Sequence, residues 1–154
     1  MGLIDILKSI LTSNKTYAKV TVEDLTKTSG ESTPFEVGLT SKESPITGKD
    51  VTIEINKKKY TRTTDDNGIA RLNINLPVGE YDTHITFDDP DYHYVKTFCT
   101  VTVNPVVVSS DLTMTEKDGS KYTVTLEDGK GNKLNGVKVL FTVNGRNYER
   151  TSDD

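Results

Sequence analysis

Tryptophan is absent from these 154 residues, cysteine occurs once and histidine twice. Each scarcity closes a route. The single thiol, Cys99, leaves no internal disulfide and no cysteine-based zinc cluster. His84 and His93 give a histidine-based hydrolytic triad little to draw on. There is no glycine-rich phosphate loop and no helical His-Glu zinc motif, and nothing calls for a cofactor. Lys and Arg number 19 against 23 Asp and Glu, mixed along the chain, so no basic stripe offers itself to nucleic acid. No apolar run reaches the ~18 residues that a membrane-crossing helix needs. The opening MGLIDILKSILTS has no basic leading region and is interrupted by Asp5 and Lys8, so it does not read as a signal peptide.

What is present favours strands. Thr and Val recur while Ala is scarce, which suits pleated surfaces better than helices. Hydrophobic residues make up 33% of the chain, a lean core but above the composition at which disorder becomes the default. The exception is residues 3–11, where Leu3, Ile6, Leu7, Ile10 and Leu11 fall at helical spacing. Three turns are too short to stand alone in water, so this amphipathic helix is expected to pack on its own domain or to oligomerise.

From Tyr17 onward the period is two. Ala18, Val20 and Val22 alternate with polar residues, as do Phe35, Val37 and Leu39, and Val51, Ile53 and Ile55. Ala70 to Leu76, Tyr81 to Phe87 and Thr97 to Val103 continue the pattern, with turn residues between the runs. Six or seven half-buried strands predict an antiparallel β-sandwich with immunoglobulin-like Greek-key wiring. Tyr81 follows a Pro/Gly corner, where such sandwiches place a structural tyrosine. Cys99 shares the parity of Val101 and Val103 and is expected to be a buried, inert thiol.

Two acidic groups invite a metal reading. Asp65, Asp66, Asp88, Asp89 and Asp91 are weak candidates for calcium, which takes six to eight oxygens. No alternating Asp-x-Asp-x-Asp run supports it, and Asp65-Asp66-Asn67-Gly68 has the composition of a type I′ hairpin turn. No metal site is therefore expected. The most ligand-like segment is the loop carrying Asp88, Asp89, Asp91, Tyr92 and Tyr94. No nucleophile–base pair can be assembled, which points away from an enzyme.

The chain also resembles itself. Gly48–Asp66 lies over Gly136–Asp154 without a gap, with eight of nineteen positions identical. Phe35, Val37 and Leu39 match Tyr122, Val124 and Leu126 with one residue of slippage. The expected organisation is an N-terminal helical segment (1–16), a complete domain (17–104) and the first half of a second copy (105–154). Counterparts of the last three strands are missing from the second copy. The expectation is that the natural chain continues, or that another chain completes the half domain by strand exchange.

The stretch from Pro45 to Tyr92 contains Pro-Ile-Thr-Gly, Thr-Thr-Asp-Asp-Asn-Gly-Ile-Ala, Leu-Pro-Val-Gly-Glu-Tyr and Asp-Asp-Pro-Asp-Tyr. It resembles bacterial-type Ig-like repeats, most closely those of adhesin-like surface proteins of methanogenic archaea. The resemblance implies a non-enzymatic stalk, spacer or adhesion module displayed at the cell surface. Its partners would be neighbouring repeats and a protein or cell-surface glycan ligand. The alternative expectation is a structural protein of a virion or surface appendage, assembled through the N-terminal helix.

Overall fold

A computed structural model describes residues 2–6 and 14–154. Residues 3–6 are helical, and Leu3 and Ile6 are exposed there. Leu7, Ile10 and Leu11 lie outside the described residues.

The rest is all-β. The strands are β1 (Lys19–Thr21), β2 (Leu25–Thr28), β3 (Pro34–Ser41), β4 (Ser44–Pro45), β5 (Asp50–Ile55), β6 (Lys58–Thr63) and β7 (Ile69–Asn73). They continue with β8 (Gly79–Phe87), β9 (Val95–Asn104), β10 (Val106–Ser109), β11 (Val124–Glu127), β12 (Lys138–Val143) and β13 (Arg146–Thr151). Two compact units form. The first comprises Met1–Leu25, Pro34–Asn73 and Tyr81–Val101; the second comprises Thr26–Thr33, Ile74–Glu80 and Thr102–Asp154.

In the first unit, β3 is flanked by β1 and β7, both antiparallel, and folds back onto β4. In a second sheet β5 lies antiparallel between β6 and β8, and β8 has β9 on its other side. Alternation decides which face is covered. Phe35, Val37, Leu39, Ala70 and Leu72 are buried on one sheet, and Val51, Ile53, Ile55, Ile85 and Phe87 on the other. Their intervening neighbours Glu36, Arg71 and His84 are exposed. At roughly 1.5–3 kcal/mol for each large side chain removed from water, these two faces supply the main stabilising term of the unit.

The turns show which local sequence closes which pair. Lys42-Glu43 and Asn56-Lys57 both have positive φ at two consecutive positions, the geometry of a two-residue hairpin that matches strand twist. The Asp65–Gly68 segment does not. Asp66 and Asn67 are not in the left-handed region, and only Gly68 is, at φ 73°. The predicted type I′ hairpin is thus corrected to a four-residue turn closed by Gly68 N–H donating to the Asp65 carbonyl. It joins β6 in one sheet to β7 in the other, because β6 is already paired with β5 and β7 with β3. Gly68 has no room for a side chain: a Cβ there would sit 2.6 Å from the Leu39 carbonyl oxygen.

β2 and β6 were not among the runs expected from alternation. β6 is solvated on both faces, with only Tyr60 partly covered. In β2 the buried position is a lysine, Lys27.

In the second unit, β10 pairs with β11 and β12 with β13, both antiparallel. These ladders reproduce earlier ones residue for residue. β5 and β6 span Asp50–Ile55 and Lys58–Thr63, and β12 and β13 begin and end 88 positions later in each case. Val20↔Leu39 in the β1–β3 pair recurs as Val107↔Leu126, 87 positions on. The lock at the open end of the hairpin is repeated as well. Gly48 N–H donates to Thr64 O, Thr64 N–H to Lys49 O and Lys49 N–H to Thr64 Oγ1. Gly136, Ser152 and Val137 make the same three bonds at 2.9, 2.9 and 3.0 Å.

Lys27 is only 5% exposed, yet it is bonded. Its Nζ donates to the Ile74 carbonyl at 3.0 Å and to the Thr33 carbonyl at 3.4 Å, tying β2 to the chain after β7. Lys27→Met keeps the stem and removes both donors, leaving a buried carbonyl unsatisfied, and should cost about 1–3 kcal/mol. Urea denaturation of the two chains reads this directly. A Met variant as stable as the native chain would show that the ammonium is not a structural tie.

Candidate functional site

The loop between β8 and β9 carries Asp88, Asp89, Asp91, Tyr92 and Tyr94, and it is held from two directions. Thr16 N–H donates to the Asp91 carbonyl at 2.9 Å, and His93 N–H returns to the Thr16 carbonyl at 3.0 Å. The next residue, Tyr17, stacks on His93 with ring centroids 4.1 Å apart and 20° between planes. On the other side Lys49, just before β5, pairs with Asp89 at 2.9 Å and Asp91 at 3.2 Å. The same ammonium lies 5.7 Å from the centroid of Tyr92, whose ring packs against buried Phe87 at 5.3 Å. Within the loop, Asp89 Oδ1 accepts from Asp91 N–H at 2.9 Å.

The electrostatics follow from those contacts. The Lys49 hydrogen bond holds the Asp89 carboxyl below its usual range, and the Asp91 backbone N–H adds to the effect. Reciprocally, hydrogen bonds first to Asp89 and then to Asp91 raise Lys49. Asp88 and Tyr94 remain exposed.

Asp65 and Asp66 belong to a different arrangement. Asp65 Oδ1 accepts from Asn67 N–H at 2.9 Å and Ile69 N–H at 3.0 Å. Its Oδ2 accepts from Arg71, which also reaches Glu36 at 2.7 Å. The Ile69 N–H, then Arg71, lower the Asp65 pKa. Asp66 faces solvent. Of the calcium candidates, Asp65 is matched to Arg71, Asp89 and Asp91 are matched to Lys49, and Asp66 and Asp88 are exposed. Among the described residues, no group of three His, Cys, Asp or Glu is placed to hold a metal ion.

Cys99 is 7% exposed on β9, and burial pushes its thiol up to about 11, with Asp24 adding to the shift. Asp24 itself accepts from Thr100 N–H at 2.8 Å.

The second unit contains a cavity of about 500 Å³ whose lining includes Lys27, Glu31, Pro77, Asp128 and Leu134. The turn Asp128–Asn132 is self-contained: Asp128 Oδ1 accepts from Lys130 N–H at 2.8 Å and Asn132 N–H at 2.9 Å. Gly129 N–H donates to Ser29 Oγ at 2.9 Å. The backbones there touch, since a Cβ on Gly129 would lie 2.5 Å from the Gly30 nitrogen. Sequence reasoning passed over Lys27 and this contact. The paired glycines, one in each turn, were the available signal.

No protein-family model matches the chain, and no curated protein matches it. Solved structures similar to it include the following two. One is a Ca2+-stabilized adhesin that helps an Antarctic bacterium reach out and bind ice, at 20% identity and a TM-score of 0.34. That match covers 90% of this chain, and the chain spans 38% of the adhesin's length. The other is murine CEACAM1b, at 14% identity and a TM-score of 0.24, covering 82% of this chain and 81% of that one. Neither likeness assigns a function.

The Asp65 shift sets a pH dependence. Its folded-state pKa lies below its unfolded value, so its stabilisation is fully present above ~3.9 and is lost as pH falls through the folded value. Asp65→Asn keeps an acceptor for the turn and removes the charge facing Arg71. The native chain should lose more of its urea midpoint between pH 7 and pH 3 than the variant does. Equal losses would show that the Asp65–Arg71 pair does not couple to folding.

Proposed function

We infer that this chain is a non-enzymatic, Ig-like tandem-repeat segment of an adhesin-like surface protein, serving as a stalk or spacer. The observation that carries the reading is the recurrence of the β5–β6 hairpin as β12–β13, with the same register and the same three-bond lock. Two strand pairs reproduced 88 and 87 residues on are what serial domains of a single kind require. The wiring supports the Ig-like assignment: β3 sits between β1 and β7, and β8 sits between β9 and β5. The resemblance of the Pro45–Tyr92 motifs to bacterial-type Ig-like repeats, most like those of archaeal adhesin-like proteins, supplies the surface setting. An adhesion surface of such a module would lie at the loop tip of Asp88, Tyr92 and Tyr94.

A stalk must bear load. Single chains pulled from residues 1 and 154 should show one abrupt event releasing about 88 residues, roughly 25–30 nm at ~3.6 Å per residue less the folded length. Smooth extension with no such step would remove the stalk reading.

One observation favours a second reading, a virion or appendage protein assembled through its N-terminus. Leu3 and Ile4 are 71% and 68% exposed on the helix, an apolar surface left in water. Light scattering decides it. A trimer or larger assembly that vanishes when the chain starts at Tyr17 supports assembly through the helix, and a monomer in both cases removes it.

A further inference from the structure

One edge of the first unit is basic in a chain whose net charge is −4. β6 and the turn before it read Lys57-Lys58-Lys59-Tyr60-Thr61-Arg62, and among the described residues β6 pairs only with β5. Alternation splits this run between two faces. Lys58, Tyr60 and Arg62 stand opposite Ile55, Ile53 and Val51 and share their face. Lys59 and Thr61 lie on the other, where Lys59 pairs with Glu54 at 3.8 Å. Lys58 and Arg62 are exposed, and among the described residues no acidic side chain pairs with either. Tyr60 is half-buried between them, with the Arg62 guanidinium 5.9 Å from its ring centroid.

The same row returns in the second copy. Arg146, Tyr148 and Arg150 hold the positions of Lys58, Tyr60 and Arg62, opposite Val143, Phe141 and Val139. The intervening positions do not repeat: Lys59 becomes Asn147 and Thr61 becomes Glu149. The guanidinium is set alike in both. Arg62 Nη1 donates to the Thr61 carbonyl at 2.7 Å, and Arg150 Nη1 to the Glu149 carbonyl at 2.7 Å. Exposed lysines on an edge strand keep it from pairing with another edge, and charge alone suffices for that. That role calls for neither the tyrosine nor an arginine held in one pose, and both copies carry them.

We propose that the row of Lys58, Tyr60 and Arg62, with its counterpart Arg146, Tyr148 and Arg150, binds an anionic polysaccharide laid along the strand. This rests on the surface-module reading above and names the class of ligand. At ~3.3 Å per residue the two cations of a row stand roughly 13 Å apart. That is the span of a short run of sugar rings, so each cation meets a carboxylate while the tyrosine between them contacts ring hydroxyls. Nucleic acid fits less well. Duplex DNA carries one charge per ~1.7 Å of its axis, a density that the acidic remainder of the chain repels. Arg62 also lies over the ring on which a base would stack. Rows in successive copies let one long polymer engage more than one of them at a time.

The test is binding of the full chain to immobilised polygalacturonate, a polymer of sugar carboxylates, at low salt. Binding is expected there and not on neutral dextran. Lys58→Gln with Arg62→Gln should weaken it at least about tenfold, because one row of two is lost. Adding Arg146→Gln and Arg150→Gln should abolish it. Lys59→Gln with Lys96→Gln removes the same charge from positions off the row and should leave binding nearly unchanged. All of these side chains are exposed, so the fold is kept. Equal weakening by the two double variants would overturn the proposal, as would failure to bind polygalacturonate. Tighter binding to oligothymidylate than to polygalacturonate would also overturn it and assign the row to nucleic acid. None of these outcomes touches the stalk reading, which the pulling experiment decides.

Discussion

A β-strand makes three demands at once: a hydrogen-bonding neighbour along each edge and an apolar layer over one face. Most features of this chain follow from how those demands are met. β5 meets all three, with β6 and β8 at its edges and Ile53 sealed from water. The β6–β7 link crosses from one sheet to the other because both strands already have their hairpin or sheet partners. Among the described residues β12 pairs only with β13, and Leu140 and Val143 are exposed on it.

The strands that the sequence announces are those whose two faces differ. β3, β5, β7, β8 and β9 alternate apolar with polar, and the structure buries the inward apolar residues of each, with Phe98 of β9 left on the exposed face. β6 has no buried face and so leaves no period to read. β2 is hidden for the opposite reason. Its inward residue is Lys27, whose hydropathy announces solvent but whose long stem is covered while its head bonds two carbonyls. The Asp65–Gly68 turn shows a third limit. Its composition specifies one left-handed glycine, but composition does not say which strands a turn connects.

The acidic loops were legible as loops but not as partners. That Asp89 and Asp91 answer Lys49, or that Thr16 bonds the Asp91 and His93 backbone while Tyr17 stacks on the His93 ring, depends on contacts between residues distant in the chain. No local pattern encodes such a pairing. Once the partners are placed, the carboxylates read as fasteners. Asp65, Asp89 and Asp91 each lie against a cation or a backbone N–H, the ordinary way to hold an exposed loop in one conformation. What remains available for contact is the aromatic and acidic tip formed by Asp88 and Tyr94.

The one cysteine has a practical consequence. With its thiol near 11 and its sulfur under the sheet, only about one molecule in ten thousand would carry a Cys99 thiolate at neutral pH. That slows its reaction with maleimides and disulfides. A cysteine introduced on the surface would react well ahead of it, so the molecule can be tethered, labelled or crosslinked at a chosen residue without first removing its own thiol.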